Sequence, residues 1–228
     1  MVQRLRASFS DRRLAVVASL AGLSLFVLGM LAVRMLYTGT SVHGWLAWNL
    51  FLAWIPFLLA LLVYERARAG ASWRVLVPLG LLWLAFFPNA PYLITDLKHL
   101  GHGAQVPVLY DVLLLSAAAW LGLLLGLTSL FLVHAVARRL IGVLDAWALV
   151  AAVLALSSFG IYLGRVQRWN SWDLVVHPAS IGAQIGSGLL HPLSHPRPIG
   201  LTVLLTSFLL MSYLALYSFA RLSAIERE

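Results

Sequence analysis

Asn89, Tyr92, Asp96 and His99 stand at relative positions 0, 3, 7 and 10, a spacing that would align all four on one face of an α-helix. An amide, a phenol, a carboxylate and an imidazole in that order can bind a ligand or move a proton. Asp111 and Asp173 supply two more carboxylates, so Asp96, Asp111 and Asp173 are the candidate catalytic residues, as general bases or metal ligands. His177, four residues after Asp173, could share proton traffic with it. Arg165 and Arg168 lie one turn apart and could clamp a phosphate or carboxylate. Asn89, Tyr92, His99, Arg165, Arg168, Asn170 and His177 therefore make up the candidate binding set.

Each of these residues also has a plainer reading. Pro88 and Pro91 each remove a backbone donor and free a carbonyl, at Leu84 and Phe87, which Asn89 could satisfy locally. In that case the helix ends early and Asn89 to His102 is a capped outer loop. Asp111 follows Pro107 at a helix start, where a carboxylate suits the positive end of the helix dipole. Arg165 and Arg168 could reach the headgroups beside Trp169 and Trp172, although Arg165 also suits an ion pair with Asp96, Asp111 or Asp173. Asn170 to Asp173 has the form of a helix N-cap. His191 and His195 mimic a helical zinc pair, but Pro192 and Pro196 break the helix that pair requires, so no metal is assigned. No HExxH, GxSxG, P-loop or dinucleotide fingerprint occurs, and no cofactor is indicated.

What positions these groups is set by composition. In 228 residues, 61% are hydrophobic and only 11% charged, with a mean hydropathy of +0.90. So few charges cannot cover a water-soluble globule, and lipid must solvate most of the exterior. The absence of Cys excludes disulfides, thiolate nucleophiles and Cys-held metal clusters. Apolar windows long enough to cross roughly 30 Å of hydrocarbon fall at 14–35, 45–64, 75–95, 112–133, 144–164 and 199–220. The expected fold is an all-α polytopic transmembrane helix bundle of six spans, forming one integral membrane domain over 1–228. Residues 178–190 are apolar but too few to span, and should lie at the interface or re-enter. The first window is too long for the core of a secretory signal and reads as a retained anchor.

Basic residues orient the spans. Arg4, Arg6, Arg12, Arg13, Arg66, Arg68, Arg74, Arg138, Arg139, Arg221 and Arg227 all flank one side, out of sixteen Lys and Arg in total. By the positive-inside rule that side is the cytoplasm, with both termini in it, in a plasma (inner) membrane. The net charge of +8 is thus a topology signal spread over helix flanks, with no basic stripe for nucleic acid. Asp96, Asp111, Asp173 and six of the seven His face outward; His134 alone lies inward, as an interfacial residue.

Phe86 to Leu97 (FFPNAPYLITDL), Tyr110-Asp111, Phe159 to Arg165 (FGIYLGR) and Arg168 to Asp173 (RWNSWD) together resemble the signature of an uncharacterised multi-pass membrane family, domain of unknown function 1361. The resemblance runs from Trp48-Asn49 to the last helix. It implies a prokaryotic multi-pass membrane protein and carries over no activity and no catalytic residue. Three functions stay open: a noncatalytic membrane partner, an outer-face hydrolase or transferase acting on a lipid or lipid-linked substrate, and a transporter of a small molecule or anion. Beyond the lipid bilayer, the partner that the outer cluster would suit is a lipid-linked or anionic small molecule.

Overall fold

A computed structural model describes residues 2–101, 106–166 and 196–225. The described residues are helical throughout, without a strand. The helices are α1 (Val2–Thr38), α2 (Trp45–Arg68), α3 (Trp73–Phe86), a single turn α4 (Asn89–Tyr92) continued by a 3-10 segment (Leu93–His99), α5 (Val108–Leu140), α6 (Val143–Val166) and α7 (Pro196–Ile225). Six stretches are long and apolar enough to cross a membrane: Arg13–Thr38, Trp45–Arg68, Trp73–His99, Val108–Leu140, Val143–Arg165 and Ile199–Arg221. Each contains one of the expected windows. Leu25, Leu36, Leu144 and Phe219 are largely exposed, as side chains that face acyl chains should be.

The third span is broken where its prolines stand. Pro88 has no N–H to give to the Leu84 carbonyl, and α3 stops at Phe86 with a last bond from the Phe87 N–H to the Trp83 carbonyl, Phe87 itself keeping α dihedrals (φ −54°, ψ −40°). Helical geometry then resumes but tightens. In a 3-10 turn residues three apart eclipse, so Leu93, Asp96 and His99 share a face in place of the expected α-helical stripe. Asn89 is used locally, its Nδ2 donating to the Phe86 carbonyl at 2.9 Å, one residue away from the carbonyls that the prolines were expected to free.

By internal contacts the chain divides into two compact units. One comprises Met1–Trp54 and Ala90–Leu125, the other Ile55–Asn89 and Gly126–Glu228. In the first unit, Gly122 of α5 faces the broken span. A Cβ there would collide with the Ala90 carbonyl and lie 2.8 Å from Leu93 Cβ, so only glycine admits this close approach. In the second unit, Val63, Tyr64 and Val136 form a buried cluster with Leu79 and Leu132 packed on it. Trp83 donates to Ser129 Oγ at 3.3 Å, tying α3 to α5. The end of α2 is a Schellman turn: Gly70 takes φ +77°, its N–H bonds to Ala67 O, and the Ala71 N–H bonds to Arg66 O.

Candidate functional site

The polar side chains of the first unit gather at helix ends. α1 approaches its C-terminus at Arg34, and α5 opens with Tyr110-Asp111. Arg34 Nε donates to Asp111 Oδ1 at 2.7 Å and Nη2 to Oδ2 at 3.1 Å, a two-pronged pair whose side chains are 1% and 4% exposed. Fork-to-carboxylate geometry of this kind is the strongest that an ion pair adopts. Next to it, the Tyr110 hydroxyl donates to the Met30 carbonyl at 2.7 Å, one turn before Arg34. Two consecutive residues of α5 thereby grip two successive turns of α1. A turn and a half further down α1, Ser24 Oγ accepts from Trp54 Nε1 at 3.0 Å and donates to the Leu20 carbonyl.

The second contact joins α2 to the 3-10 segment. Asp96 is fully buried, and its Oδ2 accepts from Asn49 Nδ2 at 3.1 Å. His99, one 3-10 turn on, meets the ring of Trp45, one α-turn before Asn49, at a tilt of 48° with ring centroids 4.8 Å apart. His43 is buried and adds a third ring, 5.9 Å from Trp45. The spacing of three on one strand of this ladder matches the spacing of four on the other, because a 3-10 turn and an α-turn advance by similar amounts. The Asp96–Asn49 bond and the His99–Trp45 ring contact are thus successive rungs between the same two elements.

The structure brings Asp96 and His99 together with two residues of α2, while Tyr92 contributes its carbonyl to Thr95 Oγ1 at 2.6 Å. The cation facing Asp111 is Arg34 in place of the Arg165 considered from sequence. Arg165 lies half-buried in the last turn of α6, in the second unit. Arg168, Asn170, Asp173 and His177 lie outside the described residues, as do His102, the 178–190 segment and the His191/His195 pair. Among the described residues, no three His, Asp or Glu side chains are grouped as a metal ion would require.

Two functional elements escaped sequence reasoning. Arg34 was given no partner, though an arginine four residues inside the end of an apolar helix is itself a signal for a buried partner. The other is His134 in the second unit, which is 2% exposed. Its Nδ1 lies 2.7 Å from the Tyr213 hydroxyl, and Trp147 meets its ring edge-on at 4.6 Å. One turn on, Arg138 Nη1 donates to the Tyr217 hydroxyl at 2.7 Å. The signal was present: His134 and Arg138 on α5 and Tyr213 and Tyr217 on α7 are both pairs spaced by four. Two rungs in the same order mean that α5 and α7 run parallel, as spans separated by one intervening crossing must.

A family model described as a protein of unknown function, DUF1361, matches residues 48–212. No curated protein and no solved structure matches the chain.

Proposed function

The chain belongs to the DUF1361 family of proteins of unknown function, and from that premise we propose that it is a noncatalytic membrane partner whose outer-end polar residues fasten its own helices. The Arg34–Asp111 pair carries this reading. Both carboxylate oxygens of a candidate catalytic residue are occupied by a guanidinium, out of reach of solvent, so neither can accept a proton from a substrate. Asn49 holds Asp96 between elements in a similar way. The protein acts through its lipid-embedded surface on another membrane protein. α7 is the best-placed face for that contact, since 11% of its span is covered by the rest of the chain against 50% for α6. The Arg-rich helix ends support a topology with both termini in the cytoplasm and the fastened ends on the outer side of a plasma membrane.

The test replaces the ion pair by apolar groups. A buried pair exchanged for hydrophobic residues of similar volume leaves stability unchanged or improves it. Arg34→Met/Asp111→Leu, purified beside the wild type in one detergent, should show the same unfolding midpoint and the same cross-linked neighbours in native membranes. A double variant that folds normally but loses a copurifying small molecule, read by native mass spectrometry, would show that the pair serves a ligand and overturn the reading.

A further inference from the structure

Arg138 and Arg221 converge on one tyrosine with no counter-charge among the described residues. Arg138 donates through Nη1 to the Tyr217 hydroxyl at 2.7 Å, and the Arg221 guanidinium carbon stands 5.0 Å from the centre of the same ring. Arg138 Nε is buried and bonded to nothing among the described residues. The bidentate ion pair of Arg34 and Asp111 involves neither of them. Two positive charges thus share a ring, a buried donor is unspent, and Arg139 adds a third cation beside them. The spans that carry them end at Leu140 and Arg221, which puts the guanidiniums at headgroup depth.

We propose that Arg138, Arg221 and Tyr217 form a binding site for the phosphate of an anionic phospholipid in the Arg-rich leaflet. A guanidinium offers a planar fork that matches phosphate oxygens, and Arg138 is pre-oriented by Tyr217 with Nε still to donate. The Tyr217 hydroxyl, accepting from Arg138, keeps its own proton for a phosphate oxygen. At this depth the phosphate arrives on a lipid, with its acyl chains along the exposed apolar side chains of α7, such as Leu214 and Met211. Arg74 is the contrasting case. It lies 5.7 Å from the Trp73 ring, that tryptophan is 70% exposed, and no buried unpaired donor accompanies them, as expected of a simple interfacial anchor.

The experiment uses the full chain in nanodiscs of mixed phosphatidylglycerol and phosphatidylcholine, followed by detergent extraction and native mass spectrometry of retained lipid. Phosphatidylglycerol should be retained in preference, with Arg138→Gln and Arg221→Gln each lowering retention about fivefold and the pair roughly 25-fold. Arg138→Lys should keep part of the preference, Tyr217→Phe should weaken it with the fold intact, and Arg74→Gln should leave it unchanged. Circular dichroism melts check each fold, and the Lys and Phe variants carry the test if the Gln pair unfolds. Equal retention of the two lipids, unchanged retention in the Gln variants, or a loss as large in Arg74→Gln would overturn the site. Displacement of the lipid by millimolar inorganic phosphate would assign it to a free anion and overturn the lipid proposal.

Discussion

Arg34 and Arg138 are both arginines near the end of a long apolar helix, and the molecule treats them in opposite ways. Arg34 is sealed against Asp111 in a bidentate pair with almost no exposed surface. Arg138 is half-buried, bonded to a neutral hydroxyl, and shares its ring with a second cation. A charge neutralised from within the chain contributes to holding helices together, because neither partner can be hydrated once the helices pack. A charge left without a counter-ion draws an anion from outside. Which of the two an arginine becomes depends on what the facing helix offers, a carboxylate or a phenol.

The contrast can be broken most severely at Asp111. Asp111→Asn leaves Arg34 charged and buried, and should cost about 3–5 kcal/mol of unfolding free energy, measured by denaturant titration in mixed micelles. If that variant unfolds at the wild-type midpoint, the pair is not a fastener. Gly122→Val tests whether the first unit also depends on close backbone approach; its collision with Ala90 and Leu93 should cost about 1–3 kcal/mol in the same titration. In the second unit, Tyr213→Phe removes the partner of buried His134 Nδ1 and should cost about 1–2 kcal/mol. Smallest of all, Arg221→Gln should shift the midpoint by no more than about 0.5 kcal/mol while lowering lipid retention. A large stability loss there would make Arg221 a structural group like Arg34 and erase the difference between the two regions.

The crossings were legible because a run of some twenty apolar residues leaves the backbone no alternative to a helix in lipid. The break at Pro88 was legible because proline lacks the N–H that would continue the helix, whereas Pro91 sits inside α4. The tightening after it was not: a 3-10 turn and an α-turn have the same composition, and the choice falls to what Asp96 and His99 can reach on α2. Partners of ionisable groups were the least readable. Arg34 and Asp111 are 77 positions apart, and no periodicity within either helix says which faces which. The burial of His134 was not legible because it depends on Tyr213 and Trp147, which lie on other helices.

That separation of 77 positions has a consequence for how the protein is made. At roughly 5–20 residues per second, Arg34 leaves the ribosome about 4–15 s before the carboxylate that neutralises it. The enclosure of Arg34 by Asp111 is therefore completed only once α5 has been made, so this fastening is a late event in the life of the first helix.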